Sequence, residues 1–273
     1  MLSESETIYH IPLNRLSTYR HGYWILRTGE PATLAATLAE EDPERLVAVQ
    51  LCNLEADSES LNPWAPGLPI ELVLQDPAIQ YPSLYRHTNL LDHHPVLAVV
   101  PVQTGFLKAV KVAVSLDFGV RLTVGQPDPA LVEELLAALD FYLYQPLVDQ
   151  PIEFFHGTLL GFYHDQPLSL WTVLGEEPQA LRFVSADGVE SGYGRLASAD
   201  FALAMEPALD LDRLIDQTLA TAPECRDCEF LRSCGGYFKW PVSDYDCAGV
   251  KRVFGQLRTA ALDLRRDLAA ARA

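Results

Sequence analysis

Basic residues are scarce in this chain. Its 273 residues hold 20 Lys and Arg against 37 Asp and Glu, a formal net charge of -17. Phosphate binding relies on clustered Lys and Arg, so this balance argues against a nucleic-acid groove, and the same charge is repelled by anionic lipid. Long apolar runs are missing too: no uninterrupted stretch is long enough to span a bilayer. Residues 1–7 contain Glu4 and Glu6 and no basic stretch followed by an apolar run. No secretory signal is visible there, so a cytoplasmic address is expected. The expected partner is a protein, a peptide or a small molecule, with no nucleic acid and no membrane. The plain alternative is acidity that serves only solubility.

What the chain does have is apolar content, 49% of its residues. That suffices for a sizeable core in one large domain or two modest ones. A helical stretch is expected at 31–41 and an apolar strand at 46–51, ending at Cys52. Prolines 63, 66, 69, 77 and 82 punctuate the following segment, where a surface-wrapping connection is expected with one short strand at 70–74. From Pro95 the pattern is a strand (96–102), a helix (106–116) and a strand (120–124), which is a βαβ unit. A second helix over 129–144 has Pro127 and Pro129 at its start, and a strand is expected at 152–155. Strands alternating with helices of this length imply parallel pairing through right-handed crossovers. Beyond His156 a small α+β region, with a segment over 181–185 ending in a turn, leads to a helix at 210–220 with Asp210 and Asp212 at its start. A long amphipathic helix at 250–270 closes the chain, with Val250, Val253, Phe254, Leu257, Ala261, Leu264 and Leu268 on one face that is expected to pack on the body.

The chemistry is concentrated near the end. Four of the five cysteines lie in 225–247, spaced Cys-x2-Cys-x5-Cys-x12-Cys at Cys225, Cys228, Cys234 and Cys247. In a reducing compartment such crowding serves a metal rather than disulfides. A Cys-x2-Cys pair lets two thiolates reach one centre from a tight turn, and the other two close a four-thiolate cage. Gly235 and Gly236 allow positive φ and close backbone approach beside Cys234. Zinc ribbons carry a second Cys-x2-Cys-like pair, absent here, so an iron-sulfur centre is favoured. Zn2+ and unliganded buried cysteines remain open.

This segment resembles the SPASM domain appended to radical S-adenosylmethionine (radical SAM) enzymes that modify peptides. That family's run is Cys-x2-Cys-x5-Cys-x3-Cys with flanking cysteines. The resemblance implies a 4Fe-4S cluster held by Cys225, Cys228, Cys234 and Cys247. Phe238 stands where the family's fourth cysteine would be, and the upstream partners are missing, so a second cluster is not implied. No Cys-x3-Cys-x2-Cys triplet exists in the chain, so the family's radical chemistry is not expected. The resemblance is specific over about 225–268 and suggestive over 95–190. It implies a degenerate, partial (β/α) barrel-like parallel sheet over 1–190 and a SPASM-like domain with a C-terminal helix over 191–273.

Other residues are weaker candidates for chemistry. Cys52, at a strand's carboxyl end, sits where parallel sheets gather ligands, although a buried structural cysteine is the simpler expectation. Glu153 and His156 lie at a strand end as a catalytic pair or as a satisfied polar pair. His93 and His94 are expected to face solvent beside Asp92. Lys108 and Lys111 are expected to reach water from a helix that begins at Gly105. Tyr237, Phe238 and Trp240 are expected to shield the metal centre.

Three functions fit. One is an iron-sulfur accessory protein of a peptide-modification pathway, contacting a substrate peptide or a radical SAM enzyme partner. Another is an enzyme, stand-alone or one subunit of a split enzyme, that uses the cluster for electron transfer. The last is a structural zinc protein serving as an interaction module.

Overall fold

The structure is a computed structural model and describes residues 7–19, 22–38, 43–192, 194–198 and 210–271. Nine strands form one sheet: β1 (Ile8–Pro12), β2 (Tyr23–Thr28), β3 (Leu46–Leu51), β4 (Ile70–Val73), β5 (Val96–Pro101), β6 (Gly119–Thr123), β7 (Ile152–Glu153), β8 (Leu181–Val184) and β9 (Glu190–Ser191). Their order across the sheet is β7-β6-β5-β4-β3-β2-β1-β8-β9. Every pairing from β1 to β8 is parallel, and only β9 runs antiparallel to its neighbour β8.

The helices are α1 (Pro31–Thr37), α2 (Pro77–Gln80), α3 (Phe106–Ser115), α4 (Pro129–Tyr144), α5 (Phe155–Tyr163), α6 (Leu170–Val173), α7 (Leu211–Thr221), α8 (Leu231–Cys234) and α9 (Ala248–Ala271). Local sequence starts them as expected. Asp128 caps α4 by accepting from the Leu131 N–H at 2.9 Å, with Pro129 in the first turn. Asp210 does the same for α7 through the Arg213 N–H at 2.8 Å. Each such cap satisfies an N–H that the helix cannot bond internally. Among the described residues no helix is long and apolar enough to cross a membrane.

Register divides the sheet cleanly. Side chains of paired residues in neighbouring strands share a face, and that face alternates along each strand. On one face stand Ile11, Leu26, Val49, Ile70 and Val96, with Leu72, Ala98, Val120 and Ile152 in the next row, all buried in the main core. Helices α3 and α4 add Phe106, Val110, Leu135 and Leu139 to the same core. The other face carries His10, Arg27, Gln50, Glu71, Arg121 and Glu153. One cavity of about 420 Å³ touches β1, β3, β4, β5, β6 and β8 together, so this polar face is concave.

Several expectations are corrected. The region 8–45 holds two full sheet strands, β1 and β2, in addition to a helix. That helix ends at Thr37, and 39–42 lie outside the described residues. The proline-punctuated segment is not a loose wrap: β4 is an inner strand of the sheet, followed by α2 and a long 3-10 stretch over Tyr81–Asp92. The strand at 152–155 is two residues long, because Phe155 already begins α5. Residues 168–174, apolar after a proline, form α6, which Ser169 caps.

The C-terminal helix α9 packs against α4 and α5. Phe254, 1% exposed, stacks on Phe230 at 5.5 Å and meets Phe154 and Phe238 edge-on at 6.3 Å each. One ring thus joins the sheet end, the cysteine segment and α9. Phe254→Ala should cost about 3–5 kcal/mol, the range for removing a fully buried aromatic. Urea denaturation checks this, and a loss below about 1 kcal/mol would mean the cluster is not a junction.

Candidate functional site

The four clustered cysteines come from three short elements and the start of α9. Cys225 ends a 3-10 turn that begins at Pro223, and the Cys228 N–H donates to the Cys225 carbonyl at 3.1 Å. Cys234 ends α8. Gly235 and Gly236 follow it with φ of 59° and 72°, the left-handed region where a Cβ is costly. Space is closed there as well: a Cβ on Gly236 would lie 2.7 Å from Thr218 Cγ2. The Trp171 indole N–H donates to the Gly235 carbonyl at 3.0 Å and holds the turn. Cys247 stands just before α9, its carbonyl accepting from the Lys251 N–H at 2.9 Å. A thiolate there faces the positive end of a 24-residue helix.

All four cysteines line one cavity of about 320 Å³, together with Phe230, Leu231, Val250 and Phe254, the lysines Lys239 and Lys251, and the carboxylates Glu224, Asp244 and Asp246. Burial pushes the Cys225, Cys234 and Cys247 thiols up, Cys234 to about 12, and each feels the charge of the other cysteines. The donor set is four soft thiols in a mostly apolar cup, which suits zinc or an iron-sulfur cluster and not a hard cation. Among the described residues, no three His, Cys, Asp or Glu side chains stand close enough to hold a metal ion as they are placed.

The aromatic shield differs from expectation. Phe230, Tyr245 and Phe254 line the cysteine cavity. Tyr237 instead lines the concave cavity of the sheet, because the left-handed pair Gly235–236 turns the chain before it. Phe238 is fully buried in the main core, and Trp240 packs against that core.

The concave cavity is a second polar site that the sequence reading missed. Glu176 is a buried carboxyl in its wall. The Tyr237 hydroxyl donates to Glu176 Oε2 at 3.1 Å, and the Arg195 backbone also bonds the carboxyl. Burial pushes the Glu176 carboxyl up, while Tyr237 and Arg195 pull it back. Gly194 has φ of 57°, and a Cβ there would lie 2.3 Å from Glu176 Cδ, so the carboxyl rests directly on this glycine. The Arg195 guanidinium lies over the Tyr237 ring at 4.5 Å and donates to the Gly125 carbonyl at 3.3 Å. Deeper on the same face, Glu71 accepts from Arg121 at 2.8 Å and from Gln50 at 2.6 Å. His10 meets Phe183 edge-on at 5.4 Å, and the Arg27 guanidinium lies 4.0 Å over that same ring.

The weaker candidates take structural positions. Cys52 follows β3, half-buried, with its N–H donating to the Thr28 carbonyl at 2.9 Å; it does not line the cysteine cavity. Burial raises its thiol, and Arg27 lowers it. Glu153 Oε2 accepts from the Gly157 N–H at 2.9 Å, and His156 Nδ1 bonds the Tyr142 hydroxyl at 2.8 Å. Both serve the start of α5. Of the adjacent histidines, only His93 is exposed; His94 is buried, its ring nitrogens facing the Leu68 and Leu61 carbonyls at 3.0 and 2.8 Å. Lys108 and Lys111 are both exposed, as expected; Lys108 also bonds the Tyr81 hydroxyl at 2.6 Å and lies over that ring, and Lys111 lies over Phe141.

The chain matches no family model, no curated protein and no solved structure.

Burial, with Arg27 and Arg121 nearby, drives His10 down to about 3, against a hydrogen bond donated to Gln50 that favours the charged ring. The folded state therefore keeps a neutral imidazole where the unfolded chain would take up a proton. Stability from this group is complete above the ordinary value of 6.5 and is lost as pH falls from there toward about 3. Between those values the slope approaches about 1.4 kcal/mol per pH unit. The wild type should lose stability faster than His10→Gln as pH falls from 6.5 to 5. Parallel denaturation curves for the two proteins over this range would refute the neutral-imidazole assignment.

Proposed function

We propose that Cys225, Cys228, Cys234 and Cys247 bind one 4Fe-4S cluster, and that the chain is a SPASM-like accessory protein of a peptide-modification or related maturation pathway. On this reading it contacts a substrate peptide or a radical SAM enzyme subunit. The observation that carries the proposal is the convergence of all four thiols on one cavity from four separate points of the chain. Their spacing favours a cluster over zinc: zinc ribbons carry a second Cys-x2-Cys-like pair, and Cys234 and Cys247 do not form one. Phe230, Phe254 and Val250 form the apolar part of the cup and would keep water from that side of the bound group. The curled sheet of parallel strands supports the barrel-like part of the proposal. A bound cluster would supply one-electron chemistry.

A second reading has its own observation. Residues 234–237 carry Cys234 and Gly236 into the cysteine cavity and Tyr237 into the concave cavity. A molecule held in the concave cavity would lie one layer of chain from the centre. That placement favours an enzyme, alone or as part of a split assembly, in which the cluster exchanges electrons with such a molecule.

Anaerobically purified protein should contain about four irons and four sulfides per chain, lost when Cys228 and Cys234 are changed to Ala. One zinc without sulfide would replace the cluster by a structural zinc site. Capture from the native cell should recover a peptide precursor or a maturation enzyme with the wild type; recovery of neither would remove the accessory role.

A further inference from the structure

Lysine is seldom buried, because its ammonium must leave water. Lys239 is 7% exposed, and its position in the cysteine cavity supplies a reason. Its Nζ donates to the Tyr245 carbonyl at 2.7 Å, and the Cys247 Sγ faces that same carbonyl at 3.8 Å. The ammonium also pairs with Glu224, but the two partners sit in different surroundings: the Lys239 side chain is 6% exposed and the Glu224 side chain 57%. Water screens the carboxylate strongly and the ammonium weakly. The net field of the pair at the sulfurs is therefore positive. Asp244, Asp246 and Lys251 also line the cavity, but all three are exposed and screened in the same way as Glu224, so Lys239 is the buried charge among the charged lining residues.

We infer that Lys239 is the charge partner of the thiolate-bound centre and raises its reduction potential. The inference rests on the reading of the four cysteines as iron-sulfur ligands. Four thiolates around a cluster leave a net negative group, and one-electron reduction adds a further negative charge without making or breaking a bond to the protein. A cation on the dry side of the cavity stabilises the reduced form more than the oxidised form. Lys239 is thus a tuning residue, and it is not itself an iron ligand.

The test is a dithionite redox titration followed by electron paramagnetic resonance on the full chain, reconstituted with iron and sulfide without oxygen. Wild type, Lys239→Met, Lys239→Arg and Glu224→Gln are compared, with iron and sulfide counted in each. Lys239→Met should make one-electron reduction at least tenfold less favourable, a fall of about 59 mV. Lys239→Arg should return to within about threefold of the wild type, and Glu224→Gln should shift the potential upward. A loaded Lys239→Met protein with the wild-type potential, or a shift that Arg does not rescue, overturns the inference. Should Lys239→Met fail to fold, Lys239→Gln is titrated in its place, and a loaded protein with the wild-type potential overturns the inference equally. A wild-type chain that takes up no iron overturns the cluster reading and this inference with it, whereas full loading with an invariant potential overturns this inference alone.

Discussion

Each step from β1 to β7 joins a strand to the parallel neighbour beside it, always in the same direction across the sheet. A parallel pair cannot be closed by a tight hairpin, and its crossover is right-handed in nearly all cases. Repeating that step in one direction places every crossover on one face. Helices α3 and α4 cover the apolar rows through Ile11 to Val96 and Leu72 to Ile152. The other face carries the polar row. It closes around side chains and around whatever the last part of the chain brings, and here that is Tyr237 and Arg195.

The cysteine segment is tied into this arrangement by two small residues. Gly235 and Gly236 turn the chain so sharply that Cys234 and Tyr237, three residues apart, face different cavities. Larger residues would clash with Trp171 and Thr218, so the turn exists only because α6 and α7 are packed against it. The cysteine cavity and the wall of the concave cavity consequently share one structural element. A shift in either would be felt by the other through less than one turn of chain.

Legibility in the sequence followed the environment of each element. Helix α4 was readable to its ends because Pro129 and its apolar stripe obey helix rules without tertiary help. Strands β3, β5 and β6 were readable because parallel strands with one face in the core run nearly all apolar. Strands β1 and β2 were missed for the complementary reason. His10 and Arg27 interrupt their apolar pattern; His10 lines the concave cavity, and Arg27 lies over Phe183, which lines it too. The same disguise hid the second site: Gln50, Glu71 and Arg121 each look like the polar side of an amphipathic strand, and only the register gathers them. Glu176 gave no local signal at all, since what marks it is Gly194, eighteen positions away, pressed against its carboxyl. The four cysteines were visible from spacing alone, but spacing could not disclose which aromatic rings face them.

Charge distribution links these observations. With 20 basic residues against 37 acidic ones, each cation withdrawn from the surface leaves that surface more acidic. Arg27, Arg121, Arg195 and Lys239 are all buried or half-buried, against rings, carboxylates or carbonyls. A guanidinium or ammonium held this way keeps its charge where water cannot screen it, so its field is stronger than that of a surface lysine. The chain thus spends few cations on solubility and holds several around its two cavities. An acidic exterior and a locally cationic interior follow from the same scarcity, and a partner or bound group that is negatively charged would be repelled at long range and stabilised only once inside.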